Sequence, residues 1–252
     1  MNRIRVHDKR IELKYIIPKS MMASVFEWAN RTLSPDPFAS PTDHSYLISS
    51  VYLDTEELDI FSNSSGNEDA KYRIRRYGCG SEIWFERKRK RKFTVDKQRA
   101  LVVDDSILQA ANQVGTLGDS GDKNTQWFID HVHQLKLQPI VAVQYKRFAW
   151  IEPSHAYSNR LTIDTDLRVK RHLHWSLPEI NDPELISSEA PCVLELKFSS
   201  NLPTLFKQFL SVFDVRYTSY SKYRTAIQAC VLPKNCLTLT PNFGSQLDLR
   251  NA

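Results

Sequence analysis

The sequence lacks the features that define several common protein classes. Its four cysteines, Cys79, Cys192, Cys230 and Cys236, form no Cys-x-x-Cys pair. That argues against a zinc site or a disulfide framework and for ordinary intracellular thiols. No stretch approaches the ~20 consecutive apolar residues that a membrane-spanning helix needs. The first residues include Arg and Lys but no apolar run behind them, so no signal peptide is expected. There is no internal repeat and no low-complexity segment. A soluble, cytoplasmic protein is the default expectation. Excess charge is also scarce: 34 Lys and Arg stand against 29 Asp and Glu, a net +5. Any functional charge must therefore lie in local clusters.

Three segments hold such clusters. They are Lys71-Tyr72-Arg73-Ile74-Arg75-Arg76-Tyr77, Ile83-Trp84-Phe85-Glu86-Arg87-Lys88-Arg89-Lys90 and Val143-Gln144-Tyr145-Lys146-Arg147-Phe148-Ala149. Side chains alternate across a strand, so Arg73 and Arg75 share a face, as do Glu86, Lys88 and Lys90. Like charges buried side by side are costly unless carboxylates or a polyanion neutralise them. The pattern predicts a sheet wrapped around something strongly negative. By the same alternation, Arg87, Arg89, Arg91 and Lys92 are expected on a solvated opposite face.

Periodicity predicts strands at residues 10–17, 46–53, 70–77, 82–90, 95–103, 140–151, 160–169 and 192–198. Helices are expected from Pro18 to about residue 33, and over 105–114, 124–135, 202–213 and 221–231. Asp54-Thr55-Glu56-Glu57 fits a further helix start, with carboxylates near the positive end of the dipole. Some eight strands with helices between them predict one α+β domain over residues 1–232, built on an antiparallel barrel or tunnel. The tail, 233–252, has little periodicity and is expected to be partly disordered.

The ordered set of segments resembles the VTC domain, the polyphosphate polymerase branch of the triphosphate tunnel metalloenzymes. The likeness is carried by Glu12-Leu13-Lys14-Tyr15, Val51-Tyr52-Leu53-Asp54-Thr55, Tyr72-Arg73-Ile74-Arg75-Arg76-Tyr77 and Glu86-Arg87-Lys88. It continues through Tyr145-Lys146-Arg147, Arg160-Leu161-Thr162-Ile163-Asp164, Leu194-Glu195-Leu196-Lys197-Phe198 and Ser221-Lys222-Tyr223. No single motif is specific; the order over nearly the whole chain is. The resemblance implies an eight-stranded antiparallel β-barrel tunnel with helices packed outside and a basic lumen. It implies an enzyme that uses ATP and Mn²⁺ or Mg²⁺ to extend a polyphosphate chain, releasing ADP. Carried over by position, the catalytic cations are Arg73, Arg75, Lys88, Arg147, Arg160 and Lys222. Lys14, Lys97, Tyr145 and Lys197 bind substrate, and Glu195 holds the metal.

The residues themselves suit that chemistry. Arg offers a planar fork to phosphate oxygens and Lys a compact charge. Phosphoryl transfer needs neutralisation and alignment more than covalent help, and a phosphate oxyanion needs no strong base to act as acceptor. The hydrolytic branch of the superfamily typically begins Glu-x-Glu-x-Lys; here Arg10 stands at the first of those positions, which tilts the reading toward polymerase. The alternatives are a triphosphate or nucleoside triphosphate hydrolase of the same fold, and a non-catalytic polyphosphate or inositol-phosphate binding module. Glu195 could also be only an ion-pair partner of Lys197, and Asp164 and Asp166 turn or ion-pair residues. The basic run at 87–92 interleaves few aromatics, so nucleic acid is not expected as the ligand. The expected partners are ATP and polyphosphate, with any membrane partner a separate protein.

Overall fold

Most long strands of this chain carry charged residues on one face and apolar residues on the other over much of their length, and a closed sheet gives each face its own environment. The computed structural model describes residues 10–64, 70–91, 94–102, 124–155, 159–187 and 191–232. The helix expected at 105–114, Lys92 and the tail at 233–252 lie outside the described residues, as do the side chains of Arg10, Lys90 and Arg91.

Eight long strands form the ring. They are β1 (Arg10–Ile17), β3 (Ser45–Asp54), β4 (Ala70–Tyr77), β5 (Ile83–Arg91), β6 (Thr94–Val102), β7 (Gln138–Ile151), β8 (Arg160–Arg171) and β10 (Cys192–Phe198). Their order is β7-β3-β4-β5-β6-β1-β10-β8, and a further β7–β8 pairing closes the circle. All pairings are antiparallel. Two-residue strands, β2 (Ser34–Pro35) and β9 (Ile186–Ser187), extend the edges of β7 and β8. Among the described residues the β1–β6 joint is the shortest in the ring, pairing only Arg10 with Val95 and Ile11 with Thr94.

Among the described residues, three helices cover the outer face. Helix α1 (Met22–Thr32) follows Pro18 and a 3-10 turn at Lys19–Met21. It buries Val25 and Ala29, one turn apart, and sets Phe26 against Phe148 and Trp150 of β7. With α4 (Thr204–Val212) it covers Leu13, Tyr15 and Ile17 of β1, Leu161 and Ile163 of β8, and Leu194 and Leu196 of β10. Helix α3 (Gln126–Gln134) covers β4 and β5, stacking Phe128 on Phe85 at 4.3 Å. Full burial of such a side chain contributes roughly 1.5–3 kcal/mol. No helix among the described residues is long and apolar enough to cross a membrane.

The solvated face expected for Arg87 is corrected by α3. Arg87 is buried, its guanidinium donating to Gln98 Oε1 at 2.7 Å and to His131 Nε2 at 3.0 Å. His131 Nδ1 in turn meets the Trp127 carbonyl. Alternation assigned the correct face, but the helix that covers it comes from forty residues further along the chain.

The short helix α2 (Asp59–Ser62) begins later than Asp54-Thr55-Glu56-Glu57 suggested. Asp54 instead ends β3, fully buried, and accepts from the backbone N–H groups of Thr55, Ile60 and Phe61 and from the hydroxyl of Tyr223. Tyr223 belongs to α5 (Lys222–Cys230). This helix packs on the inner wall at one end of the ring, with Tyr223, Ala226 and Ile227 against Tyr52, Val141, Val143, Tyr145, Leu167 and Val169.

A bulge makes that end apolar. The β7–β8 register shifts between Gln144 and Lys146, where Asp166 adopts a left-handed φ of 53°. The extra residue moves the inward row of β8 from Arg160, Thr162 and Asp164 to Leu167 and Val169.

Removing the anchor between α2, β3 and α5 should be costly. Asp54→Ala is expected to lower unfolding free energy by roughly 2–4 kcal/mol, since several buried donors lose their acceptor. Urea denaturation measures this, and a loss below ~0.5 kcal/mol would show that Asp54 is not the anchor.

Candidate functional site

Every residue expected at the site lies on the inner wall or on the end of α5 that enters it. Strand pairing places them. Lys14 lies opposite Glu195, and Glu12 opposite Lys197. Arg73 faces Glu86 across β4–β5, Lys88 faces Lys97 across β5–β6, and Arg147 faces Asp164 across β7–β8. Lys197 faces Arg160 across β10–β8.

Four carboxylates on the same wall organise these cations, and sequence reasoning gave a site role to only one of them. Glu86 is fully buried. Arg73 donates to its Oε2 from Nε and a terminal nitrogen, both at 2.7 Å, and Arg75 stands 3.7 Å away. Lys97 Nζ lies 2.5 Å from Oε1, which also accepts from the Tyr77 hydroxyl at 2.9 Å. Arg75 is fixed further by donating to Ser50 Oγ, and Arg73 by donating to the Tyr52 hydroxyl.

Asp164 forms the second centre. Arg147 grips it with two donors, at 2.6 and 2.7 Å, and Lys222 from α5 reaches its Oδ2 at 2.5 Å. The Lys222 ammonium also stands 4.6 Å from the centre of the Tyr145 ring. Glu12 and Glu195 form the third. Lys88 lies 2.5 Å from Glu12, and Lys197 lies 2.9 Å from Glu195 and 3.9 Å from Glu12. Lys14 Nζ is 3.7 Å from Glu195 and donates to the Tyr220 carbonyl. Arg160 stands nearest the segment after β2, paired with Asp36 at 2.6 Å and donating to the Tyr46 hydroxyl. The alternation that paired Lys88 with Glu86, and Arg160 with Asp164, was the signal available for the missed carboxylates.

The electrostatic balance inside the ring is positive. Burial would raise the Glu86 carboxyl, but Lys97, Arg73 and Arg75 hold it well below the usual range. Burial would likewise raise the Glu195 carboxyl, but Lys197, Lys14 and Lys222 hold it well below the usual range. Two buried phenols report the sign of the residual field. Burial should raise Tyr52, yet Arg73 and Arg75 lower it to about 7. At Tyr77, burial and Glu86 push up, yet Lys97, Arg75 and Arg73 bring it to about 8. Lys88 is lowered to about 7, first by burial and then by neighbouring Lys14 and Lys197 against the pull of Glu12.

Glu12 and Glu195 bring hard oxygen donors together on neighbouring strands. Among the described residues no group of three His, Cys, Asp or Glu side chains converges to hold a metal ion. The donors present fit a hard divalent cation that takes most of its ligands from phosphate oxygens and water. They do not form an all-protein cage.

A sequence profile described as the VTC domain matches residues 9–231. No curated protein matches the chain. Among solved structures, the fold is similar to the PH1819 protein of Pyrococcus horikoshii, at a TM-score of 0.50 and 12% identity over 87% of this chain and 99% of that one. It is also similar to a Bacillus halodurans protein put forward as an adenylate cyclase. That likeness has a TM-score of 0.52 and 13% identity over 85% of this chain and 94% of that one.

The held carboxylates predict an acid-sensitive barrel. Lys88 and Lys197 overcome burial and lower Glu12 from 4.5 to about 2. A carboxyl lowered on folding stabilises the protein above its unfolded value, and that stability drains away as pH falls toward the folded one. The urea midpoint at fixed ionic strength should therefore drop between pH 4.5 and 2. Lys88 is shifted in the same direction, its folded value of about 7 lying below 10.5, so it should add stability as pH rises from about 7 to 10.5. Glu12→Gln should flatten the acid limb; an unchanged limb would show that Glu12 is not the group responsible.

Proposed function

Because the chain belongs to the VTC domain family, matched over residues 9–231, we propose that it is a metal-dependent polyphosphate polymerase. It transfers the γ-phosphate of ATP to a growing polyphosphate chain and releases ADP. We place the functional unit at residues 1–232, with ATP and polyphosphate as its partners. The observation that carries the reading is the inner wall. Arg73, Arg75, Arg147, Lys197 and Lys222 reach one interior from four elements and outnumber the carboxylates that hold them. A polyanion threaded there supplies the missing counter-charge.

The chemistry follows from the layout. A terminal oxyanion of the acceptor forms a bond to the γ-phosphorus, and the bond from that phosphorus to the β,γ-bridging oxygen breaks. The electron pair leaves with ADP, and no proton has to be removed first. The chain's residues neutralise and align the reacting groups. Arg73, Arg75, Arg147 and Arg160 present forks to the non-bridging oxygens, and Lys88 and Lys222 present point charges. Lys14, Lys97 and Lys197 hold the flanking phosphates, and the Tyr145 hydroxyl adds a hydrogen bond. Because Glu86 and Asp164 already fix the arginines, little reorganisation is needed when charge redistributes in the transition state. Glu195 would anchor a divalent cation, which would supply further charge neutralisation at the phosphates when bound.

Polymerase is favoured over hydrolase within this fold by how the carboxylates are used. Glu86 is held by Arg73 and Lys97, Asp164 by Arg147 and Lys222, and Glu12 by Lys88. A water-activating two-metal centre needs several carboxylates released from such pairs, whereas a single cation needs only Glu195 to exchange its pairing with Lys197 for the metal.

The test is incubation of the full chain with ATP and Mn²⁺, followed by gel analysis of the products. ADP and a ladder of polymer are expected. Arg73→Ala and Lys222→Ala should abolish elongation, with folding checked by circular dichroism. Glu195→Gln should keep ATP binding and lose turnover by roughly 10²–10³-fold, the scale of one electrostatic contributor. Lys146→Ala, which removes an outward pair with Asp43, should leave elongation intact. Free phosphate with no polymer longer than the substrate would replace polymerase with hydrolase.

A further inference from the structure

Thr162 occupies the middle of the inward row of β8, between Arg160 and Asp164. Its neighbours Leu161 and Ile163 are fully buried in the outer core, so alternation turns Thr162 toward the interior. Its cross-strand partners are Glu195 on β10 and Ala149 on β7. Lys14 lies beyond Glu195 on β1. One transverse row of the wall therefore reads Lys14, Glu195, Thr162, Ala149.

Thr162 is 0% exposed, and among the described residues its Oγ1 has no hydrogen-bond partner. A buried hydroxyl without a partner destabilises a protein, and buried polar atoms nearly always find one. Valine has the same shape and carries no such cost. The nearest carboxylate does not account for the hydroxyl: the Glu195 oxygens pair with Lys197 at 2.9 Å and Lys14 at 3.7 Å and accept nothing from Thr162. Ala149 offers no polar side-chain atom. The hydroxyl thus stands unsatisfied beside cations that await an anion.

We propose that Thr162 is a further substrate-binding residue, whose hydroxyl donates a hydrogen bond to a phosphate oxygen of the bound chain next to Glu195. The proposal rests on reading the interior as a polyphosphate or triphosphate site. A neutral donor at this point positions an oxygen without adding charge to an already positive wall. It fixes the register of the chain relative to Glu195, a task for which a flexible lysine is poorly suited.

The experiment compares wild type, T162V and T162S as full-length chains. Calorimetry with inorganic triphosphate at low salt reads binding, and thermal unfolding without ligand reads stability. T162V should weaken triphosphate binding by about 10–150-fold, the worth of one hydrogen bond to a charged group. T162S should bind like wild type. Ligand-free T162V should unfold at the same temperature as wild type or higher, because it loses an unsatisfied hydroxyl. If T162V binds as tightly as wild type, the Thr162 assignment fails alone and the hydroxyl is met by water. A lower unfolding temperature for ligand-free T162V reassigns Thr162 to packing of the wall and overturns the proposal. If wild type binds no triphosphate, the reading of the interior fails and the Thr162 assignment falls with it.

Discussion

Charge buried in a protein must be compensated within a few ångströms, and the barrel of this chain is organised around that requirement. Glu86, fully buried, is the clearest case. It gathers Arg73, Arg75, Lys97 and Tyr77 from β4 and β6 around one carboxylate on β5. Without it the two arginines of β4 would stand side by side on one face uncompensated. Asp164 does the same for Arg147 and Lys222, and in doing so ties α5 to the wall. The pairs leave the field positive, as the lowered phenols of Tyr52 and Tyr77 show. The interior is thus stable enough to fold and still short of negative charge.

This arrangement separates two tasks that a binding site must combine. The carboxylates position, and the excess cations attract. An arginine clamped at Nε and one terminal nitrogen keeps its remaining donors pointed in a fixed direction, so its orientation is settled before ligand arrives. The apolar packing outside the ring supports the same rigidity. Leu161, Ile163, Leu194 and Leu196 are fully buried, and their immobility passes to the charged residues that alternate with them.

Much of this was legible in the sequence, and the misses share a cause. Strand β10 runs over Cys192–Phe198, the limits that alternation gave, because a strand buried on one face and charged on the other has an unambiguous period. The cations of the wall were legible for the same reason. Asp54 was not. A carboxylate after a strand looks like a helix start, whereas here it also accepts from Tyr223, 169 residues away. Arg87 was placed on the correct face and given the wrong environment, because nothing local announces that α3 will lie over it. Glu86 and Asp164 carried a visible period but no visible role. Their importance depends on which strands become neighbours, and pairing order is a property of the whole ring.

The bulge at Asp166 can be described as a phase slip. On one side of it, even-numbered residues of β8 look inward and are charged or polar; on the other, odd-numbered residues look inward and are apolar. The two halves of the strand are out of step by half a period, and a single backbone residue absorbs the difference. The strand therefore tolerates a change of side chain at this point far better than a change of length. Loss of one residue would bring the halves back into step and force a choice. Either Arg160, Thr162 and Asp164 would turn to the greasy outer layer, or Leu167 and Val169 would leave α5. In this wall, count is as heritable a constraint as composition.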